Sequence, residues 1–172
     1  MKKVQAYFAG QTVYSNTPEA HQLHNKNRFG EKKTGKIIYS LSEVLFLVEK
    51  EKMDVFSNLK KFSKGELLIK FRKIDKKIQL KYIVFRDLRK KGYILKTALK
   101  FGADFRAYEK GKKLGKAHAK WIIFVEHETK KTSWHEFSAK NRVAHSTKKK
   151  LLLAIVDEEE DITYYEVRWL KP

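Results

Sequence analysis

Residues 121–156, WIIFVEHETKKTSWHEFSAKNRVAHSTKKKLLLAIV, carry an apolar run at each end of a polar span. Trp121 to Val125 and Leu151 to Val156 are too short for helices, and apolar runs of this length flanked by polar residues suit buried strands. Between them, residues 127–133 read as a hairpin turn. Ser138 can cap a helix running to about Lys149. Strand, helix and strand in succession imply an α/β layer.

Working outward, Tyr93-Ile94-Leu95 and Asp104 to Tyr108 read as two further strands with Gly102 between them. Downstream, the acidic run Asp157-Glu158-Glu159-Glu160-Asp161 leads into a final strand, Ile162 to Leu170. Upstream, a longer helix starts near Asp75, with Ile78, Tyr82, Phe85 and Leu88 on its faces and Gly92 as its stop. Ser40 with Glu43 three residues later forms a capping box. Leu41, Val44, Leu45 and Val48 then supply a helical stripe, and Phe56, Leu59, Phe62, Leu67 and Leu68 continue a small helical cluster. Residues 1–40 are mixed, with turn signals at Asn16-Thr17-Pro18, Phe29-Gly30 and Thr34-Gly35. A helix-richer first half, 1–80, therefore precedes an α/β second half, 81–172.

The 172 residues include 39 Lys and Arg against 20 Asp and Glu, a formal charge of +19 shared between both halves. Hydrophobic residues at 42% are too many for a disordered chain. Cysteine is absent, which excludes disulfides, thiolate zinc sites and cysteine nucleophiles. No apolar run approaches the roughly 18 residues of a membrane span. The start, Met1-Lys2-Lys3-Val4-Gln5, lacks the apolar core of a signal peptide. These features predict a soluble, intracellular, cytoplasmic globular protein without a membrane partner. A strongly positive surface attracts polyanions. Lysine-rich solvated faces explain the same composition, but aromatic residues interleaved with the lysines favour nucleic acid.

Phosphate loops, dinucleotide fingerprints, nucleophile elbows and HExxH zinc helices are all absent. Glu128-Thr129-Lys130 has the E-x-K spacing of many metal-dependent nucleases, and together with the acidic run it offers one metal-based reading. The other route to RNA cleavage needs a base, an acid and a cation. Tyr108, His118 and the lysines 110, 112, 113, 116 and 120 supply those types. Taken singly, Tyr108 reads rather as a strand aromatic in a core and His118 as a surface loop histidine. On a helix over 138–149, Arg142, Ser146 and Lys149 fall at i, i+4 and i+7, one face suited to phosphate and base recognition. Lys148-Lys149-Lys150 at a helix C-terminus also complements the macrodipole without any ligand.

The stretches Gly92-Tyr93, Lys100 to Tyr108 (KFGADFRAY), His118, Arg142 to Ser146 (RVAHS), Leu151 to Asp157 and Thr163 to Val167 resemble the archaeal tRNA-splicing endonucleases, the tRNA-intron endonuclease family. The resemblance covers most of residues 81–172 in order. It implies an α+β chain: a mixed helix/sheet N-terminal domain for structure and assembly, then a nuclease-like catalytic domain with a mixed sheet flanked by helices. It implies Tyr108 as general base, His118 as general acid and Lys149 as the transition-state cation. The implied reaction excises introns from precursor tRNA at a bulge-helix-bulge, giving 2′,3′-cyclic phosphate and 5′-hydroxyl ends without metal or cofactor. Arg142 and Arg168 would sandwich a splayed base, with Ser146 and Lys116 as further RNA contacts. Asp157, Glu158, Glu159, Glu160 and Asp161 would dock across a homotetramer, or across an α2β2 assembly of which this chain is the catalytic half. The alternative is a non-catalytic RNA-binding subunit of the same type of complex.

Overall fold

A computed structural model describes residues 2–109 and 118–170. The chain forms two compact units, 1–82 and 83–172. Among the described residues, no helix is long and apolar enough to cross a membrane.

The first unit is built on a sheet rather than on helices. In chain order it holds β1 (Val4–Ala9), β2 (Thr12–Ser15), α1 (Pro18–Asn27), β3 (Glu31–Lys33), β4 (Lys36–Tyr39), α2 (Leu41–Glu49), β5 (Met53–Ser57), β6 (Lys60–Phe62) and α3 (Lys64–Ile74). The six strands run in the order β3-β4-β2-β1-β5-β6, with β1 and β5 parallel and the other pairs antiparallel. The expected helical cluster from Phe56 to Leu68 is thus corrected in its first part: Leu67 and Leu68 lie on α3, but Phe56, Leu59 and Phe62 do not. Phe56 and Phe62 sit on a hairpin, because Asn58 and Leu59 both take positive φ (46° and 65°), as a two-residue hairpin turn requires. Apolar spacing could not separate that hairpin from a helix turn. Thr34 and Gly35 close the β3–β4 hairpin in the same way. Alternation buries Val4, Ala6, Val13 and Val55 on one face, where Phe8 packs edge-on against Phe71 of α3.

The Ser40–Glu43 capping box is present, and Glu43 does more than cap. Buried at 3% exposure, it accepts the Ser40 N–H and hydroxyl on Oε2 and the Gly30 N–H on Oε1, 2.9 Å away. Gly30 itself is constrained by a φ of +69°, and an added Cβ would lie 2.3 Å from Ile37 Cγ2 and 3.0 Å from the Ile38 carbonyl. Gly30→Ala is therefore expected to lower stability by about 2–4 kcal/mol, from left-handed strain plus overpacking. Denaturant unfolding measures it; a wild-type midpoint would mean the loop relocates at no cost.

The helix α4 (Ile78–Lys90) crosses the division, and the second unit begins within it at Ile83. It holds β7 (Ile94–Ala98), a 3₁₀ turn (Leu99–Phe101), β8 (Ala103–Tyr108), β9 (Trp121–His127), α5 (Trp134–Ser146), β10 (Lys150–Val156) and β11 (Ile162–Val167). The sheet order is β11-β10-β9-β8-β7, with only β9 and β10 parallel. Residues 127–133 are accordingly no hairpin. They lead from β9 into α5, the crossover that two adjacent parallel strands need. The cap is Ser133, whose hydroxyl accepts the Glu136 N–H, five residues before the expected Ser138. β11 stops at Val167 rather than Leu170.

Helices cover both faces of this sheet. Ile122, Phe124 and Leu151 pack with Ala144 of α5 on one face. On the other, Phe85 of α4 meets Phe105 at 5.8 Å, and the Tyr164 hydroxyl donates to Asp87 at 2.7 Å. Burial and the Asp87 carboxylate both push the Tyr164 phenol well above its ordinary range.

Candidate active site at one end of the C-terminal sheet

Strand directions decide which residues can meet. β8 runs toward the edge of the sheet from which β9 and β10 start. There the Lys120 N–H donates to the Ala107 carbonyl at 2.8 Å, and the Lys150 N–H donates to the Lys120 carbonyl at 3.0 Å. Tyr108 follows Ala107, His118 lies two residues before Lys120, and Lys149 immediately precedes Lys150. All three are thereby placed at one end of three adjacent strands. Neighbouring strands lie about 4.8 Å apart, so the Tyr108 and Lys149 backbones stand roughly 10 Å apart, within side-chain reach of a common phosphodiester.

The end of α5 gives the three consecutive lysines different backbone positions. Lys148 takes φ 54°; its N–H donates to His145 O, and the Lys149 N–H donates to Ala144 O, each at 2.9 Å. That is a Schellman cap, with a lysine where glycine is usual. The helix thus ends at Ser146, and the expected face shared by Arg142, Ser146 and Lys149 is corrected: Lys149 stands outside the helix. Lys150, the first residue of β10, turns to the opposite sheet face and pairs with Glu166 at 3.0 Å. Lys149 donates from Nζ to the Thr147 carbonyl at 2.7 Å and lies 5.9 Å from the centre of the Phe101 ring.

Its surroundings are cationic. On β8 the two-residue period puts Arg106 on the same face as Tyr108, its guanidinium carbon 6.0 Å from the phenol ring centre. Partial burial, then the charges of Arg106 and Lys100, lower the Lys149 pKa. Tyr108 is 9% exposed at the strand end, whereas His118 is exposed. Lys120 pairs with Glu109 at 3.1 Å.

Three of the residues expected to contact RNA, Arg142, Ser146 and Arg168, lie at the same end. α5 returns toward it with Arg142 exposed on its last turns, and the Ser146 hydroxyl donates to Val143 O at 3.0 Å. β11, antiparallel to β10, brings Arg168 there, bound to Glu166 at 2.9 Å. Glu166 also accepts the Trp121 indole N–H at 2.8 Å. That bond first, then Lys150 and Arg168, hold its carboxyl down at about 2. Two aromatic groups that sequence reasoning left without a role also meet here: His145 and Trp169 pack edge-to-face at 4.2 Å. Lys116, with lysines 110, 112 and 113, lies outside the described residues.

The acidic residues lie elsewhere. Asp157 to Asp161 follow the far end of β10, opposite Tyr108, in a turn closed by the Asp161 N–H on Asp157 Oδ1 at 2.8 Å. Glu160 reaches Arg86 at 3.5 Å and Glu158 lies 3.7 Å from His127. Glu128 is at that end too, its N–H on Val156 O. Among the described residues no three His, Asp or Glu side chains converge as a metal ligand set.

The fold and this site define a class: a basic two-domain α+β protein with a phenol, an imidazole and an ammonium gathered at one end of a mixed sheet. Comparison with known proteins gives the family. Residues 4–68 match the N-terminal domain of tRNA intron endonuclease, and residues 78–164 match its catalytic C-terminal domain. The chain is 39% identical over 173 residues to the tRNA-splicing endonuclease of Pyrococcus abyssi, covering 99% of each. It is 40% identical over 164 residues to that of Thermococcus onnurineus, covering 95% of this chain and 94% of the relative. Against that of Nanoarchaeum equitans it is 44% identical over 138 residues, 77% of this chain and 88% of the relative. The chain belongs to the tRNA intron endonuclease family.

Proposed function

We propose that this chain excises introns from precursor tRNA, cutting at the splice sites of a bulge-helix-bulge by metal-independent transesterification. Tyr108 takes the proton of the ribose 2′-hydroxyl, and the freed oxygen attacks the adjacent phosphorus. The bond from phosphorus to the 5′-oxygen breaks as His118 gives that oxygen its proton. Lys149 stabilises the added negative charge on the phosphorane. The products are a 2′,3′-cyclic phosphate and a 5′-hydroxyl. Arg142 and Arg168 take a splayed bulge base between them, with Ser146 and Lys116 on the neighbouring backbone. Arg168 must first leave Glu166. The observation that carries the reading is the placement of Tyr108, His118 and Lys149 at one end of three adjacent strands, in a family named for this reaction. Cleavage of an intron-containing precursor by the purified chain in excess EDTA tests it. No cleavage without a second chain would make the active form an α2β2 assembly; loss of cleavage in EDTA alone would restore a metal-based route.

Assembly belongs to the same proposal. Five acidic residues on a chain of net charge +19 suit a basic pocket on a neighbouring copy, so the loop 157–161 docks across a homotetramer. Replacing its acids with Asn or Gln is expected to split tetramers into dimers, more readily at high salt, and to lower activity as a consequence. Light scattering reads the mass; an intact tetramer with full activity would leave the loop merely solvated.

A further inference from the structure

The solvent face of the N-terminal sheet carries a row of rings that the cleavage chemistry does not use. Register sets Tyr14 of β2 opposite Tyr7 of β1, and Tyr7 opposite Phe56 of β5. Strand alternation sends their neighbours Ala6, Val13 and Val55 into the core, so the three rings share the other face. Their centroids lie 6.2 and 6.4 Å apart, with planes tilted by 37° and 41°. Tyr7, in the middle, is 47% exposed. Cations flank the row: the Lys36 ammonium stands 4.7 Å from the Tyr14 ring centre, and Lys61 lies opposite Phe56 while pairing with Asp54 at 2.8 Å.

An open sheet face gains solubility from Thr, Lys or Glu, so three adjoining rings there call for an occupant. We propose that Tyr14, Tyr7 and Phe56 form a stacking platform for unpaired nucleotides of RNA, with Lys36 placed for the adjoining phosphate. Every base offers a π-face, and aromatic rows on sheets recognise single strands in this way. The spacing selects single strands over duplexes. A duplex stacks its bases about 3.4 Å apart and hides their faces, whereas rings more than 6 Å apart match bases splayed from one another. Charge selects RNA over a second copy of the chain, because a two-fold contact through this face would bring lysine-flanked surfaces of two +19 chains together. The platform rests on the proposed function only for the identity of the polyanion.

Binding of a short fluorescein-labelled oligouridylate to the full chain tests this. Tyr7→Val and Tyr14→Val keep a good strand former at exposed or half-exposed positions. Each is expected to weaken oligomer affinity by about 5- to 100-fold, the range for losing one base stack. Tyr7→Phe, which keeps the ring, is expected to bind as wild type. Cleavage of saturating precursor is expected to stay at the wild-type rate, since none of these residues takes part in the proposed cleavage chemistry. Unchanged oligomer affinity in both Val variants overturns the proposal. If affinity is unchanged while the assembly mass falls, the face is a protein interface instead. A wild-type chain that binds through these rings yet cuts no precursor, either alone or with a second chain, would overturn the cleavage assignment and leave the platform standing.

Discussion

His118→Ala is expected to slow single-turnover cleavage of an intron-containing precursor tRNA by about 10²–10⁴-fold while the precursor still binds. A general acid acts on the barrier: without it the 5′-oxygen leaves as an alkoxide, and ground-state contacts are untouched. His118 suits this test because it is exposed, so removing its ring leaves no cavity. Tyr108→Phe is the companion variant. It keeps the ring that packs beside Arg106 and deletes only the hydroxyl, so its rate loss reports the base and not the fold. Saturating enzyme with rapid quench gives the rate, and filter retention gives the affinity. Wild-type cleavage by His118→Ala would remove it as the acid; equal losses in rate and affinity would make it a binding group.

Why some of this was legible in sequence and some was not has a physical basis. The buried strands β9 and β10 declare themselves as unbroken apolar runs, and Ser40 with Glu43 declares a helix start, because burial and capping are local demands. Partner choice is not local. Residues 127–133 carry turn formers whether the next element is a strand or a helix, and only the parallel pairing of β9 with β10 requires the helix. The Phe56–Phe62 hairpin has the same root: apolar spacing fits two periods, and a two-residue turn at Asn58-Leu59, with no glycine, gives little warning. In the candidate site, Tyr108, His118 and Lys149 came from family resemblance, since residue chemistry alone left each with a bland alternative. Arg106 lay within the two-residue period of Tyr108 and could have been found by it. The His145–Trp169 pair could not, because it depends on β11 ending beside the end of α5.

Lys149→Ala is expected to lose about 10²–10³-fold in single-turnover rate, the range for removing one transition-state charge contact, while Lys148→Ala and Lys150→Ala stay within about threefold. Three consecutive lysines look interchangeable in sequence, yet the backbone separates them. Lys148 holds the left-handed position of the helix cap, so Lys148→Gly relieves strain and is expected to raise stability by up to about 1 kcal/mol with activity intact. Lys150 faces the other side of the sheet and is bound to Glu166. Only Lys149 stands with Arg106 and Lys100, and burial with those two charges lowers its pKa. The sign of the pH effect follows. In the proposed reaction the ammonium is the active form, so the rate is expected to fall as rising pH removes its proton, with this alkaline limb below the ordinary lysine range. Arg106→Gln deletes a repelling charge and moves the limb to higher pH. Described titratable and charged groups near this end also include Tyr108, His118, Lys120, Glu109, Arg142, His145, Lys150, Glu166 and Arg168, so the shift is read against Lys149→Ala, which removes the limb altogether. A limb unmoved by Arg106→Gln but absent in Lys149→Ala would leave Lys149 as the cation and discard the coupling. Full activity in Lys149→Ala with a dead Lys148→Ala or Lys150→Ala would move the role to that neighbour.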